Sequence, residues 1–267
     1  MGFREMLQDP TNFEGLTVIT DEMLGSLQNE LAEMLNELAV VFCKHHISWG
    51  ITGGNALGAV RNQDFIPWDD DIDINISRRD YARLELIFET ELKDRYILKK
   101  PGDMYYLYHF PQIHKKNTTY QLLQSDNRAN DGIFIDIFIV ENTFDNWLLN
   151  LIHGLGSTFF LFADSAMRLH ACRKTVEKYC VNPRVVKAVR RKNALSLFFR
   201  FLPLEKWLYL SDRWFALSKN EASDKVVIPS GAKHFWGERY DRDVILPFVP
   251  IVVRQNSWHT LHRVKQY

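Results

Sequence analysis

Cysteine is scarce in this sequence: Cys43, Cys172 and Cys180 are the three in 267 residues, and no two form a Cys-x-x-Cys pair. That count and spacing argue against a disulfide framework or a zinc site and fit reduced thiols in a cytosolic setting. The first twelve residues hold charges and Pro10 but no apolar run, so no secretory signal is expected. Long hydrophobic runs are also missing. The weakly polar stretch 147–163 is broken by Asn150, His153 and Ser157, too short and too polar for a transmembrane helix. Neither an internal repeat nor a low-complexity linker is present. Net charge is zero, with 33 basic residues against 33 acidic ones.

What is present is enough apolar material for a core: 46% hydrophobic and 13% aromatic residues. The length allows one large domain, or a core with a smaller lobe. The balanced charge is unevenly spread. Residues 168–206 hold eleven Lys/Arg against Glu177 and Glu205, a local balance of +9 that leaves −9 for the rest. Such asymmetry speaks of partners, not of fold.

Leu24, Leu27, Leu31, Leu35, Leu38 and Phe42 recur at helical steps, predicting a helix over 22–45 capped by Asp21. A short strand over 47–52 stops at Gly53-Gly54, and a helix opens there. Pro67 precedes a second strand over 71–76, and 80–92 is helical. Residues 105–110 and 118–124 read as strands, and 133–140 is the clearest strand of all. Helical signal fills 147–220, interrupted at Pro183 and Pro203, and the tail returns to short β-like pieces. The order predicts an α/β (α+β) fold: a mixed sheet core over 1–145, a basic helical lobe over 146–224, and a segment over 225–267 that returns to the core.

The chemistry lies in an acidic run, Asp69, Asp70, Asp71 and Asp73, between Phe65-Ile-Pro-Trp68 and the alternating Ile72, Ile74 and Ile76. Alternation in a strand puts Asp71 and Asp73 on one face and the isoleucines in the core. A solvated acidic turn is the plain alternative. Two carboxylates ~4 Å apart repel by about 1 kcal/mol in water and about 4 kcal/mol near a protein surface, and a hard divalent cation removes that cost. Asp136 is a lone charge in an apolar strand, costly to bury unless paired or metal-bound. It either joins the same site or pairs with a basic core residue. Gly53-Gly54, 17 residues before Asp71, forms a strand-to-helix turn whose N–H groups suit phosphate. Together these features suggest chemistry on a phosphoester.

Ile51-Thr-Gly-Gly-Asn-Ala-Leu-Gly-Ala-Val-Arg61, followed by Phe65-Ile-Pro-Trp-Asp-Asp-Asp-Ile-Asp-Ile74, resembles the signature of the LicD family of phosphocholine transferases. That family is related to fukutin-related ribitol-phosphate transferases and to the wider nucleotidyltransferase superfamily. Gly132-Ile-Phe-Ile-Asp136-Ile-Phe138, Glu238-Arg-Tyr-Asp241 and Leu246-Pro-Phe248 resemble its later segments. Many members have Gly-Thr-Leu-Leu-Gly where this chain has Gly54-Asn-Ala-Leu-Gly58. The resemblance implies a nucleotidyltransferase-like core and a CDP-linked donor such as CDP-choline. It also implies a glycan or lipid-linked glycan acceptor and loss of CMP. Asp71, Asp73 and Asp136 would hold Mg2+ or Mn2+. Asp69 and Asp70 would orient ligands or serve as base, and Gly53, Gly54, Asn55 and Arg61 would contact the donor. Lys115 and Lys116 suit phosphate less well than plain solvation.

Two further functions compete: transfer of a nucleotide from an NTP with release of pyrophosphate, and non-catalytic binding of nucleotide or glycan. In the basic block, Arg184, Lys187 and Arg191 lie opposite Val185, Val186 and Val189, beside a segment rich in aromatics. Peripheral contact with an anionic membrane at the cytoplasmic face and a solvated basic face are both open. No helix–turn–helix, finger or RNP-like motif accompanies the block, so nucleic acid is not expected.

Overall fold

The computed structural model describes residues 6, 7, 9–123 and 131–263. Helix α1 (Asp21–Lys44) starts at Thr20, whose hydroxyl accepts from the Met23 N–H at 3.3 Å, one residue before the cap expected from sequence. Leu27, Leu31, Leu35, Leu38 and Phe42 are buried along it and join Ile51, Ile74, Ile135 and Ile137 of the sheet in one core. Strand β1 (Trp49–Ile51) passes through Thr52 into helix α2 (Gly53–Asn62). Strand β2 (Asp73–Ser77) leads into α3 (Arg78–Glu91), where the Ser77 hydroxyl accepts from the Asp80 N–H at 3.1 Å.

Strands β3 (Tyr96–Lys99), β4 (Gln112–Lys115) and β5 (Phe134–Asn142) follow, then the helices α4 (Trp147–Tyr179), α5 (Pro183–Asn193) and α6 (Leu204–Phe215). Pro183 stands in the first turn of α5 and Pro203 caps α6, positions where a missing N–H costs nothing. The chain closes with β6 (Lys225–Val227), β7 (Arg239–Asp241), β8 (Val249–Val253) and β9 (Asn256–Thr260).

The sheet runs β3-β4-β5-β2-β1-β9-β8, with β6 on the end of β5 and β7 on β6. Strands β2 and β5 are parallel, β1 touches β9 in parallel, and the other named pairs are antiparallel. This is the mixed α/β class expected. The α4–α6 helices have a core of their own, around Ala163, Met167, Val176, Val189, Trp207 and Leu208. Arg78 ties the helices to the sheet, donating to Glu141 of β5 at 2.9 Å and to Asp212 of α6 at 2.8 Å.

Two expected strands are absent. Residues 105–110 are irregular, with Tyr105 left-handed at φ +64°. Their alternating aromatics form a ladder of rings, Tyr106–Tyr108–Phe110–Phe138, at centroid spacings of 5.6, 5.5 and 4.8 Å. Ring stacking produced the alternation that resembled a strand; the strand itself, β4, begins after Pro111. Residues 118–123 form no strand either, because Thr118 bridges the Lys115 carbonyl (2.8 Å) and the Ile133 N–H (2.9 Å); Gln124 lies outside the described residues. The helical signal ends at Phe215, short of residue 220.

Gly58 sets how closely α2 meets the loop that carries the acidic run. A Cβ there would lie 2.6 Å from the Asp64 carbonyl oxygen and 2.8 Å from the Ile66 nitrogen, both backbone atoms. Gly58→Ala should therefore push the loop off α2 and cost about 1–3 kcal/mol, the usual range for overpacking. Urea unfolding measures this, and an unchanged midpoint would mean that the loop yields freely.

Candidate active site

Strands β2 and β5 lie side by side with Asp73 opposite Asp136 in register, and the Asp136 N–H donates to the Ile72 carbonyl at 2.9 Å. Parallel neighbours are about 4.8 Å apart. Ile72, Ile74 and Ile76 on one strand, and Ile135, Ile137 and Ile139 on the next, enter the main core. The alternate positions, Asp71 and Asp73 on one and Phe134, Asp136 and Phe138 on the other, take the opposite face. Asp71, Asp73 and Asp136 thus share the face of the sheet where the two parallel strands begin.

The glycine turn closes against them. Gly53 is left-handed at φ +57°, and a Cβ on it would lie 3.2 Å from Asp73 Oδ2. At Gly54 the corresponding distance is 2.8 Å, to Asp69 Oδ2. The glycines therefore admit the carboxylates to the N-terminus of α2, where the helix dipole favours negative charge.

Asn55 fastens the acidic loop to this turn. Its side-chain oxygen accepts from the Asp73 N–H at 2.6 Å, while its amide donates to the Asp71 carbonyl at 3.0 Å and to Asp69 Oδ2 at 3.3 Å. The family resemblance points Asn55 at the donor; in the structure its side chain is buried and engaged with the loop. Behind the loop, Gln28 of α1 donates to the Asp69 carbonyl at 2.9 Å and accepts from Arg254 at 3.0 Å. The Tyr120 hydroxyl donates to Asp70 at 2.7 Å. Gln112 donates to Asp136 at 2.7 Å, and its own oxygen lies 3.0 Å from His114 Nε2. Burial pushes His114 down to about 4, so the ring is neutral at pH 7 and its Nε2–H can orient Gln112.

Burial first, and neighbouring carboxylates after it, raise the pKa values of this cluster. Burial, then Asp69 and Asp70, pushes Asp71 up to about 6. Burial, then Asp71, Asp136 and Asp69, pushes Asp73 well above the usual carboxylate range. Asp136 rises to about 8, chiefly through burial, against the lowering effect of the Gln112 hydrogen bond. Asp69 is raised by burial and by Asp70. An all-oxygen anionic set of this kind suits a hard divalent cation. Among the described residues, however, no three His, Cys, Asp or Glu side chains are already gathered as a metal cage.

Arg61 is not brought to the cluster. It is exposed on the last turn of α2, about 12 Å along the helix from Gly53. Lys115 pairs with Glu30, and Lys116 donates to the Lys93 carbonyl. Gln28, Gln112, His114, Tyr120 and Arg254 escaped sequence reading. Only the Gln112-Ile-His114 alternation carried a signal, polar residues on one face of a short strand.

Residues 46–154, which include both carboxylate strands and the glycine turn, match the family model described as LicD/FKTN/FKRP, nucleotidyltransferase domain. The matched segment is a LicD-family domain. The lipopolysaccharide cholinephosphotransferase LicD of Haemophilus influenzae is 31% identical over 98 residues, 37% of this chain and 37% of that protein. An uncharacterized protein of Rickettsia prowazekii is 39% identical over 63 residues, 24% of each chain. Another, of Rickettsia typhi, is 37% identical over 57 residues, 21% of this chain and 18% of the relative. The chain thus covers little more than a third of these relatives at most.

The Asn55 clamp can be tested without activity. Asn55→Ala strands the Asp73 N–H and removes three contacts, so it should cost about 1–3 kcal/mol in urea unfolding. Asn55→Asp would keep only the Asp73 contact and add a negative charge, so it too should be less stable than the wild type. Wild-type stability in both variants would remove the clamp.

Proposed function

We propose that this chain transfers a substituted phosphate, such as phosphocholine, from a CDP-linked donor to a hydroxyl of a cell-surface glycan precursor, with Mg2+ or Mn2+ on Asp71, Asp73 and Asp136. The observation that carries the reading is the pairing of Asp73 and Asp136 on adjacent parallel strands, where the charges acting on Asp73 are other carboxylates. Burying such a set is expensive unless a cation is bound. The similarity to a lipopolysaccharide cholinephosphotransferase supports the choice of head group and acceptor class.

What a bound cation supplies here is neutralisation of the donor's diphosphate. The chain's own residues do the rest. The first turn of α2, opened by Gly53 and Gly54, offers backbone N–H groups to phosphate. Asp70, held by Tyr120, and Asp69, beside Gly54, are the groups placed to orient the acceptor hydroxyl or take its proton. Gln112 fixes the Asp136 carboxylate, and Asn55 fixes the loop. CMP is the leaving group, and the acceptor, free or lipid-linked, would be met at the cytoplasmic membrane face.

A donor panel of CDP-choline, CDP-ribitol, CDP-glycerol and NTPs tests this. The expected product is CMP from a CDP-linked donor, in a reaction stopped by EDTA. Asp73→Asn should cut the rate more than about a hundredfold, the upper end of the loss seen even for outer-shell partners of a metal. Pyrophosphate from an NTP would replace the reading with nucleotide transfer, and nucleotide bound without turnover would replace it with a binding role.

A further inference from the structure

The first half of α4 is amphipathic with its apolar face outward. Leu148, Leu151, Ile152, Leu155, Phe159 and Phe162 follow one another at helical spacing and are all exposed, Leu155 to 58%. Residues 147–163 contain no Asp, Glu, Lys or Arg, so nothing charged interrupts this face. The opposite side is fixed to the protein. A Cβ on Gly154 would lie 2.4 Å from the Trp236 ring, one on Gly156 would lie 2.1 Å from the Trp214 ring, and His153 Nε2 is 3.0 Å from the Trp214 carbonyl. The helix cannot rotate to hide its stripe.

The stripe runs into the basic block. Phe162, Leu195 and Lys192 line one cleft of about 300 Å³. Phe162 also packs on Phe199 at 5.7 Å between ring centres, and Phe198 and Phe201 on either side are 75% and 72% exposed. Helix α5 buries Val185 and Val189 and turns Arg184, Lys187, Arg190 and Arg191 outward. Arg190 is offset by Glu177 at 3.3 Å.

We infer that this face, the α4 stripe with Phe198 and Phe201 and the basic side of α5, docks the protein on the surface of an anionic bilayer. The apolar side chains enter the interfacial layer while the cations meet the headgroups. Charge decides between a bilayer and a second copy of the chain. Two copies joined across this stripe would bring two segments of +9 together, whereas an anionic bilayer is complementary to one. Among the described residues no helix is long and apolar enough to cross a membrane, so the contact is peripheral. The inference does not depend on the chemistry at the carboxylates.

The full-length protein should co-sediment with vesicles of phosphatidylcholine containing about one-third phosphatidylserine, weakly with pure phosphatidylcholine, and less as salt rises. The triple variant Arg184→Gln, Lys187→Gln, Arg191→Gln should lose affinity on the order of a hundredfold. Ile152→Glu with Leu155→Glu, both at exposed positions, should lose about tenfold or more while keeping the wild-type circular dichroism and melting temperature. Absence of vesicle binding, or undiminished binding by both variants, overturns the proposal. So does a dimer in sedimentation velocity that the Ile152/Leu155 variant converts to monomer, since the stripe would then belong to a second copy.

Discussion

Burial and neighbouring like charge both oppose placing Asp73 beside Asp136 on two hydrogen-bonded parallel strands, and much of the surrounding structure holds them in place against that cost. Neither can move away without breaking the β2–β5 register, because Ile74 and Ile137, and Ile76 and Ile139, are paired along the same strands and buried in the core. The apolar alternation of the two strands therefore forces the carboxylates together. Core packing stabilises an arrangement that electrostatics opposes.

Around this pair the remaining polar groups have related tasks. Gly53 and Gly54 let the carboxylates reach the N-terminus of α2, Asn55 and Gln28 hold the loop that delivers Asp69 to Asp71, and Gln112 holds Asp136. None of them supplies a positive charge, so the carboxylates are positioned by neutral groups. This combination suits a site completed by a cation and a diphosphate.

The carboxylates themselves were legible in the sequence. Isoleucine alternation gave the faces of Asp71, Asp73 and Asp136, and a glycine pair between strand and helix marked the turn. Their supports were not legible. Gln112 and Tyr120 are ordinary polar residues whose importance comes from contacts at sequence separations of 24 and 50. Asn55 lies inside the motif, but spacing alone does not show that its side chain holds the acidic loop. The misread strand over 105–110 has a similar cause: alternate aromatics mark a ladder of stacked rings as readily as a pleated strand. In the lobe, hydrophobic periodicity predicted helices correctly, but it could not reveal that the stripe of α4 faces outward.

The central claim is that a bound cation relieves the cost of burying these carboxylates beside one another. The sign follows from the raised pKa values. A carboxylate whose pKa is higher in the folded state contributes stability that is complete below about pH 4, the unfolded value, and is lost as pH rises through the folded one. For Asp71 and Asp136 that loss spans the window up to about 6 and about 8. The direct measurement is urea unfolding of metal-free protein from pH 5 to pH 8.5, with and without Mg2+ or Mn2+, for the wild type and Asp136→Asn. The account predicts that metal-free wild type loses stability across this range, that the cation restores it at the alkaline end, and that the variant shows a smaller loss and a smaller response. Wild-type stability that neither falls with pH nor responds to the cation would contradict it.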